Sequence, residues 1–335
     1  MPTEILEEIL IPTTTRQIPP LTLFTYPTRL ASAWQPEILE LHCPAHSLPQ
    51  PEIKIPIYAG STATLGIQRG SRLRQWYKKW KEPLDLGETY LLDTRYETDK
   101  NIAHILKNVS PSLRAVQYLA PHIPKVTVIL RQRAPELAKT AYEYLGADVL
   151  CTDREVKGRI IQGRTGKDGA YENYYQDWYG NLRFPGLIED TPSRIFIGRK
   201  GSRVIQNEAD LEPLLERYGF HKFYYEDIPL AHQWSLTKNA EVVVAAHGAA
   251  MASLMLNRQG VKVIELFHSG YVTHSFRHTT IAVGGSWCGV TGQMPPDIIQ
   301  RLDFEQKTRY FAGASITIHP DALQKALDHL AIAPS

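Results

Sequence analysis

The strongest constraint on the fold is a run of five apolar residues, Val242 to Ala246, that ends at His247-Gly248. An apolar run of this length, without polar alternation, is typical of a strand buried on both faces of a parallel sheet. Small helix-forming residues follow at once. The segment therefore predicts a strand, a tight turn and a helix N-terminus. Such a turn presents backbone N–H groups and the positive end of a helix dipole, which together favour phosphate.

The strand predicted at 194–199 ends in a basic loop. The loop contains Arg199, Lys200 and Arg203, and it precedes a helix for which Asn207 is the predicted N-cap. Ligands of open α/β sheets lie outside the carboxyl ends of the strands, which is where this loop is expected. Charge-assisted hydrogen bonds from these cations would suit a diphosphate.

The strand predicted at 261–266 carries one carboxylate, Glu265, near its carboxyl end. A buried carboxylate is costly unless it is paired, so it either binds a ligand hydroxyl or pairs with a nearby cation. We favour a ribose hydroxyl. His247 is expected to donate a hydrogen bond to phosphate, with a buried carbonyl as the alternative acceptor, and Gly248 lets the backbone approach a ligand.

The order of elements predicts an α/β protein of two domains, which the length of 335 residues allows. The predicted parts are a proline-rich extension packed on the first domain (1–52), a first α/β domain (53–157), an aromatic and glycine-rich linker or active-site loop (158–193) and a second α/β domain (194–335). The aromatic side chains of the loop either suit sugar rings or pin the loop to the protein body.

Composition narrows the classes of partner. A net charge of +2 gives no reason to expect nucleic acid, and three widely spaced cysteines indicate a reducing compartment. No targeting segment and no apolar stretch of ~20 residues is visible, so a cytoplasmic location is expected. The basic, aromatic stretch 69–81 is predicted to be either a solvated amphipathic helix or a contact with the inner face of a membrane or with a polymer.

Several short motifs together resemble glycosyltransferase family 61. They occur in the order and spacing typical of that family, most closely over about 190–270. The motifs are Arg199-x-x-x-Arg203-x-x-x-Asn207-Glu208, Gly219-Phe220, His247-Gly248-Ala249, Val263-Ile-Glu-Leu266 and, in the first half, Asn101-x-x-His104. The residues after Ala249 depart from the family, which more often has a second glycine and a polar residue there.

The resemblance implies an inverting hexosyl- or pentosyltransferase that moves a sugar from a nucleotide donor, often UDP-linked, to a hydroxyl of a glycan or similar acceptor. It implies two Rossmann-like domains facing a cleft, the GT-B type, with acceptor on the first and nucleotide-sugar on the second. No metal and no cofactor is expected. The implied donor residues are Arg199, Lys200, Arg203, His247, Gly248, Ala249 and Glu265.

His104 is the predicted catalytic base, because an inverting transfer needs a group that deprotonates the acceptor hydroxyl. Asp93 and Glu97 are alternative bases, and a merely packed histidine is the alternative role for His104. Two other functions stay open at this point. One is a non-catalytic nucleotide- or glycan-binding protein with the same fold, and the other is a membrane or polymer adaptor that uses 69–81.

Overall fold

The computed structural model describes residues 4–25, 28–30, 33–35, 38–62, 82–97, 100–163, 176–258, 260–268, 271–273, 275–293 and 313–335. The chain divides into two compact units. The first comprises Met1–Arg16 and Pro49–Pro185, and the second comprises Gln17–Leu48 and Gly186–Ser335.

Strands and helices alternate through most of the chain. The strands are β1 (Glu4–Ile11), β2 (Thr14–Ile18), β3 (Leu21–Thr25), β4 (Thr28–Leu30), β5 (Ala33–Gln35), β6 (Glu40–Cys43), β7 (His46–Gln50), β8 (Ile53–Ser61), β9 (Leu84–Asp93), β10 (Val126–Leu130), β11 (Asp148–Cys151), β12 (Val156–Ile161), β13 (Arg194–Gly198), β14 (His221–Tyr224), β15 (Val242–Ala246), β16 (Lys262–His268) and β17 (Ser286–Gly292). The helices are α1 (Ile102–His104), a π-helix (Ile105–Val109), α2 (Ser110–Leu119), α3 (Glu136–Tyr144), α4 (Gln176–Gly180), α5 (Glu208–Arg217), a 3₁₀ turn (Tyr225–Asp227), α6 (Leu230–Asn239), a 3₁₀ helix (Ala249–Leu256), α7 (Ser275–Ala282) and α8 (Pro320–His329).

The first unit is built on a six-stranded sheet of order β1-β8-β12-β9-β10-β11. The strands from β12 to β11 are parallel, whereas β8 runs antiparallel to both β1 and β12. The core of this sheet is formed by Leu91, Ile129, Val156 and Ile160, all of which are buried. The last three residues of β9 and of β10 are buried. The loop that follows β9 carries Arg95 and Glu97.

The second unit is built on a seven-stranded sheet of order β14-β13-β15-β16-β17-β3-β6. Every neighbouring pair is parallel except β3 and β6. All five residues of β15 are buried, as expected for a central parallel strand covered on both faces. The predicted α/β class is confirmed.

The N-terminal 52 residues differ from the irregular extension that their prolines predict. They contain seven strands; β1 joins the sheet of the first unit, while β3 and β6 join that of the second. Pro12, Pro19, Pro20 and Pro44 lie between strands, where the missing N–H group interrupts no sheet ladder. These four prolines therefore lie in the connections, and the short strands between them were not predicted.

The segment predicted as a loop at 158–193 begins as strand β12, which extends to Ile161, and later contains α4. Trp178 and Tyr179 are buried, and the Tyr179 hydroxyl lies 2.9 Å from the Ser110 hydroxyl. These two aromatic residues therefore anchor the segment. Tyr171, Tyr174 and Tyr175, like the basic stretch 69–81, lie outside the described residues.

Candidate active site

The ends of three neighbouring strands bring the predicted donor residues to one edge of the second sheet. The central strand β15 lies between β13 and β16, and all three are parallel. Arg199 follows β13 and His247 follows β15, so both lie at the carboxyl edge where α/β sheets bind ligands. The helix after Gly248 is a 3₁₀ helix, not the predicted α-helix. Its first N–H groups still lack partners within the helix.

Gly248 makes room for the guanidinium of Arg199. A Cβ atom added at Gly248 would lie 2.3 Å from Nη1 of Arg199 and 3.1 Å from its Cζ. The backbone of Gly248 is extended, with φ at 178°, so the glycine is needed for space and not for its conformational freedom. The basic loop and the His-Gly-Ala turn are thus in direct contact.

Arg203 is held next to Arg199 without a carboxylate of its own. Its Nε is buried and has no hydrogen-bond partner, and within the described residues it forms no ion pair. Burial, and then the charge of Arg199, lower the pKa of the Arg203 guanidinium. The structure therefore keeps two cations together at the sheet edge, an arrangement that an anion would stabilise.

Acidic residues of the 3₁₀ turn contact the other side of the basic loop. Arg199 Nε lies 3.6 Å from Glu226, and Lys200 forms an ion pair with Asp227. The Lys200 ammonium also lies 4.9 Å from the ring centre of Tyr224. Lys200 is therefore directed toward the 3₁₀ turn and does not join the arginine pair.

Glu265 pairs with neighbouring side chains, which favours the second of its two predicted roles over contact with a ribose hydroxyl. Its side chain is 0% exposed, and Oε1 lies 2.6 Å from Nδ1 of His247. Its other oxygen, Oε2, accepts a hydrogen bond of 2.8 Å from the indole N–H of Trp287. Both oxygens are thus engaged, as the cost of burying a carboxylate requires.

His247 consequently has a fixed ring orientation. Its Nδ1 is engaged by Glu265, which leaves Nε2 as the ring nitrogen that can contact a ligand. The ring packs on Phe267, Tyr271 and Phe276 with centroid distances of 5.2–5.4 Å. The contact of Tyr271 with His247 and that of Trp287 with Glu265 had no local signal in the sequence, because each joins residues more than twenty positions apart.

The predicted base, His104, lies in the first unit where α1 continues into the π-helix. Its side chain is 42% exposed, and Nδ1 lies 3.3 Å from Oε2 of Glu97 and 3.1 Å from the carboxamide of Asn108. Short π-helical segments occur frequently at functional sites. Asn108 was missed by sequence reasoning, although its spacing of four residues places it on the same helix face as His104.

Asp93 is buried and paired with an arginine, which disfavours it as the alternative base. Its side chain is 0% exposed and forms an ion pair of 2.6 Å with Arg95, whose Nε also donates to the second oxygen at 2.9 Å. Both oxygens therefore already accept charge-assisted hydrogen bonds, and the side chain has no exposed surface for a substrate hydroxyl to reach. Glu97 instead contacts His104, so these two residues form a histidine–carboxylate pair.

Asn207 also differs from its predicted role. Its side chain makes no N-cap hydrogen bond to α5. Instead, its carboxamide donates to the carbonyl of Ile318 at 2.7 Å and accepts from the N–H of Ile318 at 2.9 Å.

Among the described residues there is no cluster of three or more metal-ligating side chains, and no helix there has the length and hydropathy of a membrane span.

Comparison with known proteins assigns the class of this site. The family model described as Glycosyltransferase 61 matches residues 47–264, more than half of the 335-residue chain. The chain is therefore a glycosyltransferase in class. It belongs to the glycosyltransferase 61 family, which confirms the resemblance seen in its motifs. A search of curated proteins gave no match.

Proposed function

We propose that this protein transfers a sugar from a UDP-linked donor to a hydroxyl group of a glycan, with inversion at the anomeric carbon. The observation that carries the proposal is the Arg199–Arg203 pair beside the N-terminus of the 3₁₀ helix. Like charges at short range repel each other, and a diphosphate between them would replace that repulsion by two charge-assisted contacts. The uridine is proposed from the family resemblance alone.

The same groups would stabilise the leaving group of the transfer. As the C1–O bond to the donor breaks, the electron pair and negative charge move to the diphosphate. Arg199, Arg203 and the first N–H groups of the 3₁₀ helix would stabilise that charge, with Nε2 of His247 as a further contact. Because these groups would supply the positive charge, we propose metal-independent transfer, as is general for the GT-B type that we infer.

His104 is proposed as the general base. The acceptor oxygen attacks C1 while its proton moves to Nε2 of His104, the ring nitrogen that neither Glu97 nor Asn108 contacts. A proton on Nδ1 would then be donated to Glu97, whose carboxylate stabilises the imidazolium formed during the step. We further propose that the acceptor binds the first unit and that the reaction takes place in the cytoplasm. Contact of 69–81 with the inner face of the membrane is a separate proposal.

Calorimetric titration of UDP and a panel of UDP-sugars in the presence of EDTA tests the donor site. We expect binding without added metal, and we expect Arg203→Ala to weaken it by about 10- to 150-fold. That range corresponds to the roughly 1.5–3 kcal/mol of a hydrogen bond to a charged group.

Lys262→Ala is the matched control for the loss of one positive charge. Lys262 begins β16 at the opposite edge of the same sheet, where its ammonium donates to the carbonyl of Ala331. Its removal should leave the UDP affinity unchanged. Equal losses in the two variants would show a general effect of charge, and unchanged binding by Arg203→Ala would remove Arg203 from the donor site. Binding without any sugar transfer to a glycan panel would favour the non-catalytic alternative.

A further inference from the structure

The loop that carries Arg203 has an unusual backbone. Arg203 has a φ of 57°, and Gly201, two residues earlier, has a φ of 80°. The left-handed region is open to glycine but strained for a residue with a side chain. A conformation of this kind persists only where the surrounding structure holds it. The support for Arg203 must therefore come from groups outside its own loop.

A distant segment, 313–318, supplies that support through the backbone. It forms a short parallel pairing with 203–206, centred on the bridge between the buried residues Ile205 and Ile316. Its hydrogen bonds are Arg203 N–H to Gly313 O at 3.0 Å, Ile316 N–H to Val204 O at 2.9 Å and Gln206 N–H to Ile316 O at 2.8 Å. The first of these fixes the peptide group of Arg203 itself.

The side chain of Asn207 extends this backbone pairing by one residue. Its carboxamide binds both the N–H and the carbonyl of Ile318, as the backbone of a neighbouring strand would do. Replacing it would leave two backbone groups of a partly buried residue pair without partners, which is costly. Asn207 is also the last residue of the loop before α5 begins at Glu208. It therefore joins the end of the loop to the 313–318 segment.

We infer that Asn207 is a positioning residue of the donor site, which acts by holding the 313–318 segment against the loop and thereby fixing Arg203. The inference rests on the proposed function of Arg203. It makes the 313–318 segment part of the framework of the donor site, although this segment lies beyond residue 264, where the family match ends. Asn207 contacts the segment and not the donor, so its effect on binding must pass through Arg203.

A double-mutant cycle with UDP as the probe tests this route. Asn207→Ala is made in the wild-type chain and in the Arg203→Ala chain, and UDP affinity is measured by calorimetry. Asn207→Ala should weaken UDP binding by about fivefold or more in the wild-type chain and by less than about twofold in the Arg203→Ala chain, because contacting or linked residues are non-additive.

Asn239→Ala is the matched control. Asn239 also uses its carboxamide to hold a loop, donating to the carbonyls of Ile188 and Glu189, but it ends α6 at the opposite edge of the sheet. It should lower thermal stability without changing UDP affinity. If Asn207→Ala does not fold, Asn207→Ser enters the same cycle, since its shorter side chain cannot reach both groups of Ile318 and adds no charge.

The outcomes separate this inference from the proposed function. Weaker binding by Arg203→Ala together with wild-type binding by the Asn207 variant would overturn the positioning role alone. An equal loss from the Asn207 variant in both chains would overturn it as well, because the effect would not pass through Arg203. Wild-type binding by Arg203→Ala would remove Arg203 from the donor site, and the positioning role with it.

Discussion

Gly248→Ala is the substitution that most directly tests the geometry of the donor site. The new Cβ atom would lie 2.3 Å from Nη1 of Arg199, so the guanidinium must move by about 1 Å to reach an ordinary contact distance. Charge-assisted hydrogen bonds from arginine form at roughly 2.7–2.9 Å, and a displacement of that size breaks them. The predicted loss is about 1.5–3 kcal/mol, or roughly 10- to 150-fold in the dissociation constant of UDP.

The same substitution should barely change the stability of the free protein. The backbone at Gly248 is extended, which alanine also adopts, and the atom in the way is the end of a flexible side chain. Thermal unfolding of the two proteins should therefore coincide within the error of the measurement. Calorimetric titration with UDP measures the binding loss.

The Arg199→Ala background provides the control. Without the guanidinium there is nothing for the new Cβ atom to displace, so Gly248→Ala should have no further effect on UDP affinity. An equal loss in both backgrounds would mean that the turn contacts the ligand directly. Unchanged affinity in the wild-type background would refute the role of Arg199 as a phosphate contact.

Two further predictions concern the base and the strained loop. His104→Ala should lower kcat by about 100- to 10,000-fold and leave donor affinity unchanged. Glu97→Gln should lower kcat less, because Glu97 acts through His104. A near-normal kcat in His104→Ala would exclude His104 as the base. Arg203→Gly should be more stable than Arg203→Ala by about 1 kcal/mol in chemical denaturation, since glycine removes the cost of the left-handed backbone, while both lose UDP affinity equally. Equal unfolding midpoints would contradict the claim of strain.

The sequence predicted the second unit well because its elements have strong local signals. The strand Val242–Ala246 has the predicted bounds, since a continuous apolar run is a property of the segment itself. The strands of the first 50 residues were missed for the opposite reason. β3 is stabilised by pairing with β17, more than 260 positions away, and nothing within its five residues indicates that partner.

The site residues were likewise predicted where the signal is local and missed where it depends on a distant partner. The sequence placed Arg199, Arg203 and His247 at one sheet edge because each follows a predicted strand, and the structure brings them there. It did not indicate that Asp93 pairs with Arg95 or that Asn207 binds Ile318, because composition and spacing do not specify which neighbour a polar side chain selects. The class of residue at a site was thus predictable, whereas its hydrogen-bond partner was not.

Glu265 shows how a buried charge can contribute to binding without touching the ligand. A lone carboxylate in an apolar strand is costly, and that cost first suggested a ligand hydroxyl as its partner. In the folded chain, His247 and Trp287 occupy its two oxygens. The carboxylate therefore selects which nitrogen of His247 remains available, and Nε2 is left at the edge where a diphosphate is proposed to bind. An acidic residue on the strand beside a His-Gly turn is thus better interpreted as the group that orients the histidine.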